Sequence, residues 1–342
     1  MTAAANTNTQ TKKKKKSGGS GQTVVGTLAA LIILMVVLTI VSRNFLTYSN
    51  LMSVLKQTAF TALTAIGMLF ALITAGIDLS VGANATFCAC MMGMLVQRGV
   101  TNSFVLIIVA IGCGLGIGLV NGSLLTRLHL PHPFVSTLGM KNILWGAALF
   151  VTGSQMVSGF PDGVTWLGSA TIGGFPVCFI LVIVLYIIFH IVLTRTKFGR
   201  SIYCAGGNME ATRLSGINSA NVLTICYVIS GFTAALAGIV SVGRSGICNG
   251  ANAIQPYDTD AIAAAVLGGA SFMGGKGTML GTLLGALIIA VLRNGFSLLS
   301  VESSVQNMVL GAVIIGAVLL DVVRDQQSQK QRRLAAAAAV KE

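Results

Sequence analysis

Long apolar runs separated by short polar breaks dominate this chain, and the length of the runs decides what they form. A helix needs about 20 apolar residues to cross the hydrocarbon core of a bilayer. Runs of that size predict membrane-spanning helices at approximately 24–42, 52–74, 80–97, 103–126, 175–194, 219–243, 279–297 and 304–322. Two weaker segments bring the expected total to ten. Residues 133–152 contain Lys141 and Asn142, and 258–276 is short, glycine-rich and begins with Asp258 and Asp260. The expected fold is an all-α integral membrane protein. Its spanning domain covers 24–322, between a basic tail at 1–23, expected to be disordered, and a tail at 323–342.

Composition agrees with the pattern. Of 342 residues 54% are hydrophobic and only 9% charged, against about a quarter charged in soluble domains. Too few charges remain to cover a water-facing globule, which excludes soluble enzymes. The net charge of +13 does not indicate nucleic acid, because the basic residues form no clustered face for phosphates. Five of them are the run Lys12 to Lys16, which could associate with anionic lipid headgroups; most others stand singly between apolar stretches.

Those single charges set orientation, since lysine and arginine concentrate on the cytoplasmic side. With ten spans and the N-terminus inside, 16 of the 22 basic residues fall on the inner side. Arg43, Lys56, Arg98, Arg244 and Arg293 fall outside, and Lys141 lies within a span. Omitting either weak segment inverts everything after it. Charge therefore favours ten spans with both termini in the cytoplasm and a long outer connection at 153–174. That makes the chain a multi-pass protein of the plasma (inner) membrane.

The remaining residue types carry little chemistry. Seven cysteines lack the C-x-x-C and zinc spacings, and they read as small core residues. Glycines at 112 and 116, at 114, 118 and 122, and at 277, 281 and 285 form small-xxx-small ladders, which let helices approach closely. Gly275-Lys276-Gly277-Thr278 fails the phosphate-loop pattern, because Gly277 separates the lysine from the threonine. No cofactor or metal site and no catalytic group is expected on this chain.

Two polar segments stand out. The loop from Arg195 to Ser219 is the longest internal cytoplasmic connection in this topology. Within it Gly206-Gly207-Asn208 signals a turn, and Glu210, Ala211, Arg213 and Leu214 lie in a short helix-forming stretch stopped by Gly216. Such an element is either a docking helix for a soluble partner or a plain solvated loop. The second segment centres on Asp78, between Gly76 and Gly82. An acid at membrane depth often marks function, but Asp is also a good N-cap, and the cap is the weightier reading. Ser80, Asn84, Asn121, Ser136 and Thr137 are further candidates for a solute pathway, with bridging between helices as the plainer alternative.

These segments resemble the ribose/galactose/xylose-type sugar permeases of ATP-binding-cassette importers. Gly206-Gly207-Asn208-Met209-Glu210-Ala211-Thr212-Arg213-Leu214-Ser215-Gly216-Ile217 is similar to the family's coupling loop, and Gly76-Ile77-Asp78-Leu79-Ser80-Val81-Gly82 to its signature between the second and third spans. Pro133-Phe134-Val135-Ser136-Thr137-Leu138-Gly139 resembles its mid-chain motif. Val266-Leu267-Gly268-Gly269, continuing to Gly274-Gly275-Lys276-Gly277-Thr278, resembles its late glycine-rich motif.

The resemblance implies the vitamin B12-type (type II) importer permease fold. It also implies a second permease chain, an extracytoplasmic sugar-binding protein and a cytoplasmic ATPase that holds ATP and Mg. The implied cargo is a pentose, hexose or related carbohydrate. The alternatives are branched-chain amino acids, nucleosides or another small polar solute carried by the same machine, or an ion-coupled secondary transporter.

Overall fold

The computed structural model describes residues 20–128, 130 and 132–339, so the lysine run at 12–16 lies outside the described residues. Two helices form its centre, α2 (Tyr48–Ile73) and α10 (Ser219–Ser245). Every residue of α2 from Thr61 to Ile73 is buried, as expected of a helix apolar on all sides. Around this pair stand α1 (Ser20–Val41), α4 (Ser103–Thr126), α5 (Pro133–Val151), α7 (Val177–Arg195) and α12 (Met279–Leu298). They turn apolar side chains outward, among them Ile40, Phe104 and Phe150. Lipid is the solvent that favours such a surface.

These seven helices are long and apolar enough to cross a membrane, and the weak segment 133–152 is among them as α5. The other three expected spans differ in form. Helix α3 (Val81–Gln97) has 17 residues, and α13 (Ser303–Ala339) continues well beyond residue 322. The segment 258–276 does not span as a helix. Its helix, α11 (Tyr257–Leu267), has 11 residues and is about 16 Å long, roughly half the hydrocarbon thickness. Beyond it Gly269, Gly274, Gly275 and Gly277 all take positive φ, which breaks the helix. The two short helices begin side by side: a Cβ on Gly82 would sit 2.7 Å from Tyr257 Cβ.

Small residues set the closest crossings. Gly114, Gly118 and Gly122 of α4 lie against the backbone of α10 at Gly231, Tyr227 and Thr224, with no room for a side chain. Gly281 and Gly285 of α12 do the same against Gly268 and Ala264. The other expected ladder members depart from this. Gly112 and Gly116 face open space, and Gly277 belongs to the loop before α12. Polar bonds add register: Asn50 and Asn294 exchange two side-chain hydrogen bonds (3.0 and 2.9 Å), and the Tyr186 hydroxyl donates to the Ala62 carbonyl (2.9 Å).

Short elements close the two ends. At one end lie β1 (Val157–Ser158), α6 (Asp162–Ser169), β2 (Thr171–Ile172), β3 (Phe175–Pro176) and β4 (Ile247–Cys248). Strands β1 and β4 pair antiparallel, and β2 and β3 form a hairpin. Its turn is Gly173-Gly174, both at positive φ, the conformation that a two-residue hairpin requires. At the other end are α8 (Lys197–Gly207) and α9 (Met209–Leu214).

Candidate functional site

The first polar cluster forms where α2 stops. Thr74 turns its hydroxyl onto the Ala71 carbonyl (2.8 Å), and Ala75 takes a left-handed φ of 58°. The chain then runs unwound to α3. Asp78, almost fully buried, accepts from the Ser80 amide (3.0 Å) and the Ser80 hydroxyl (2.6 Å) on Oδ1, and from the Ser230 hydroxyl (2.6 Å) on Oδ2. Asn121 Nδ2 donates to Ser80 Oγ (2.8 Å), and Thr137 Oγ1 donates to the Ile77 carbonyl (3.3 Å). Four of the six pathway candidates, Asp78, Ser80, Asn121 and Thr137, therefore meet in one junction joining α3, α4, α5 and α10.

The residue at the α3 N-cap position is Ser80, not Asp78, and it makes no capping bond of its own. Asp78 Oδ1 accepts the amide two residues on, at the turn that leads into α3, as a capping side chain does, and its Oδ2 accepts from Ser230 of α10, so the same carboxylate also joins two helices. Among the described residues Asn84 accepts from the Cys88 thiol of its own helix (3.3 Å), and Ser136 donates within its own helix to the Pro133 carbonyl (3.0 Å).

A second site lies towards the β1–β4 end. A cleft of about 450 Å³ opens between α2, α3, α10, α11, α12 and the start of α13. None of the six pathway candidates lines it. Its floor carries Phe60 and Tyr257, whose rings are 4.6 Å apart and tilted by 57°. Beside them Asp260 pairs with Arg293 through two bonds, 2.7 Å to Nη2 and 3.0 Å to Nε. Asp258 pairs with Lys141 of α5 at 2.9 and 3.1 Å. Two residues apart on a helix means opposite directions, so the first turn of α11 is clamped to α5 on one side and α12 on the other. Sequence reasoning missed both pairs. The signal was present: two acids heading a short alanine-rich helix, and single cations stranded in apolar segments, which need partners at membrane depth.

The third site is the projecting loop. Asn208 caps α9, its Oδ1 accepting from the Ala211 amide (2.9 Å). Glu210 and Arg213 form a bidentate pair (2.7 and 3.3 Å) with both side chains about two-thirds exposed. That guanidinium holds the Glu210 carboxyl below its usual range, by hydrogen bond first and charge second. Leu214 is 77% exposed, and Thr212 is the one buried residue of the helix. Gly216 ends it at φ +79°, the conformation that favours glycine after a helix. Thus Asn208, Glu210, Ala211, Arg213, Leu214 and Gly216 form one exposed helical knob, and Gly207, exposed, ends α8 before it.

The knob stands on a packed base. The Tyr203 hydroxyl of α8 donates to the Gly277 carbonyl (2.7 Å), and the Gly275 amide donates to the Ile73 carbonyl (2.8 Å). A Cβ on Gly206 would overlap the Ile73 carbonyl. Two of the motif segments, at the end of α8 and in the loop before α12, thereby meet the backbone at the end of α2, just before the Gly76–Gly82 motif.

Residues 50–318 match the family model described as the permease component of the branched-chain amino acid transport system. The chain belongs to this permease family. It is 39% identical over 303 residues to the ribose import permease protein RbsC of Escherichia coli (strain K12), covering 86% of this chain and 92% of that one. The D-allose transport system permease protein AlsC of the same strain is 36% identical over 277 residues, covering 81% and 84%. The galactose/methyl galactoside import permease protein MglC is 31% identical over 319 residues, covering 87% and 94%. No solved structure matches.

Proposed function

We propose that this permease is the membrane-spanning subunit of an ATP-binding-cassette importer for a small carbohydrate, resident in the plasma membrane. The observation that carries the reading is the α9 knob: a capped helix whose Leu214 and Glu210–Arg213 pair project away from the core. The exposed leucine offers an apolar contact and the ion pair beside it a charged one, which together fit a partner surface, and a cytoplasmic ATPase would supply one. That partner holds ATP and Mg. Its closure would move α9 and the α8 base, rocking helix groups between two arrangements.

In this reading the ten helical segments follow a type II importer permease, with α3 and α11 as its short members and both termini cytoplasmic. Two copies would stand around one axis, and an extracytoplasmic binding protein would deliver the cargo. The relatives are named for ribose, D-allose and galactose import, which favours carbohydrate. The family description favours branched-chain amino acids as the second reading. An ion-coupled mechanism fits less well, because Asp258 and Asp260 are already paired with Lys141 and Arg293.

The test is reconstitution in proteoliposomes with an ATPase and a sugar-binding protein from the same organism. Uptake of a monosaccharide should require ATP and all three proteins. Uptake driven by an ion gradient without ATP would overturn the proposal.

A further inference from the structure

Six carboxamide side chains line the cleft. Asn249 accepts from the Ala251 amide and Gln306 donates to the Val301 carbonyl, whereas the side chains of Gln57, Asn252, Gln255 and Asn307 bond no other described residue. A carboxamide offers two donors and an acceptor, which is the complement of a vicinal diol. Beneath them the Phe60 and Tyr257 rings present an apolar surface, suited to the C–H face of a sugar ring. The acid in the cleft, Asp260, is neutralised by Arg293. Lys56 is held by the Ser169 carbonyl (2.9 Å), and Arg244 is a further donor at the rim. A volume of about 450 Å³ accommodates one monosaccharide with water, within the range of small-molecule sites.

We infer that this cleft is a transit site for a neutral polyhydroxylated solute, with Gln57, Asn252, Gln255 and Asn307 as its selecting groups. The permease subunit then discriminates cargo itself, after the binding protein has released it. The inference rests on the importer reading for its biological setting, but it concerns binding to this chain.

A reporter separates the two. Ser303→Cys places a thiol on the cleft wall in a chain whose seven native cysteines are replaced, assembled with its ATPase and without binding protein. Millimolar D-ribose or D-galactose should slow its reaction with an impermeant maleimide, and L-leucine should not. Gln57→Leu and Asn307→Leu should abolish that protection and lower sugar uptake roughly tenfold, the effect of one lost hydrogen bond of about 1.4 kcal/mol. Stimulation of ATP hydrolysis by the loaded binding protein should persist in both variants.

Absence of protection by either sugar, protection by leucine instead, or unchanged uptake in both variants would overturn the transit site. Loss of uptake together with stimulated hydrolysis would also overturn it, because the residues would then be structural. Failure of the importer reading looks different: no binding-protein-dependent uptake in the unsubstituted assembly, whatever the cleft binds.

Discussion

Asp78 has three donors and no cation: the amide and hydroxyl of Ser80 and the hydroxyl of Ser230, at 3.0, 2.6 and 2.6 Å. Alanine at this position leaves all three without their acceptor. Ser230 lies within α10 and can redirect its hydroxyl to a carbonyl one turn back. Ser80 precedes α3 and has no helical turn before it, so its amide and hydroxyl proton lose their acceptor, although the hydroxyl oxygen still accepts from Asn121. At about 1–3 kcal/mol for each stranded buried donor, Asp78→Ala should cost about 3 kcal/mol. Asparagine behaves differently. Its carbonyl keeps both bonds from Ser80, and its NH₂ faces a Ser230 hydroxyl that can rotate to accept. Asp78→Asn should therefore cost about 1 kcal/mol or less, because it trades a charged acceptor for a neutral one at a site with no counter-ion.

Thermal unfolding in detergent, followed by fluorescence-detected gel filtration, orders the two variants, and sugar uptake at matched expression reads the function. The expected result is near-normal stability and transport for Asp78→Asn and a clear loss of folded protein for Asp78→Ala. A stable Asp78→Asn protein that fails to transport would show that the charge itself is used, and the junction reading would fall. Equal destabilisation by both substitutions would refute the hydrogen-bond accounting.

Three further outcomes follow from the same geometry. Gly216→Val forces a β-branched residue into a left-handed conformation (φ +79°), a strain of about 1–3 kcal/mol; the chain should insert and dimerise, but ATPase co-purification should drop and uptake be lost. Asp260→Asn strands Arg293 in a partly buried site and should destabilise by about 3 kcal/mol, whereas Asp260→Asn with Arg293→Gln should recover most of that in the same unfolding assay. Cysteines at Ser158 and Ser303, in a chain cleared of native cysteines, should react with an impermeant thiol reagent in intact cells, and one at Ser219 should not; the reverse pattern would invert the topology.

The sequence was most informative where helices are long. Apolar length alone located α1, α2, α4, α7, α10 and α12 to within a few residues, because burial in lipid or core demands such runs, and the charge count added the weaker segment that forms α5. It was also informative at α9, where Asn208 and Gly216 bracket the helix as capping chemistry requires. It failed at α11. Residues 258–276 have the length of a span, yet the helix ends at Leu267, and Gly269, Gly274, Gly275 and Gly277 beyond it take positive φ. The Lys141–Asp258 and Arg293–Asp260 pairs were hidden because their members lie 117 and 33 residues apart, and periodicity reports one segment at a time. Four pathway candidates proved to be neighbours, but the cleft was built from other residues. Its carboxamides sit on α2, the segment before α11, and α13, and no local pattern links those three.

The interrupted helices, more than the long ones, hold the polar chemistry together. Helices α3 and α11 start beside each other, with Gly82 against Tyr257. The loop before α3 carries the Asp78 junction, and the first turn of α11 carries both clamping acids. The far end of α11 runs into the glycine loop that bonds to Ile73 and Tyr203, and so to the base under α9. At Gly206 that base has no space even for a methyl group. A displacement of α9 is therefore absorbed either by bending the α8 base or by moving α2 and the glycine loop with it. Close packing makes the first costly. The second leads along α11 to Tyr257 and Asp260 in the cleft, so the element that would meet a partner and the element that would meet the solute share one short rigid connection.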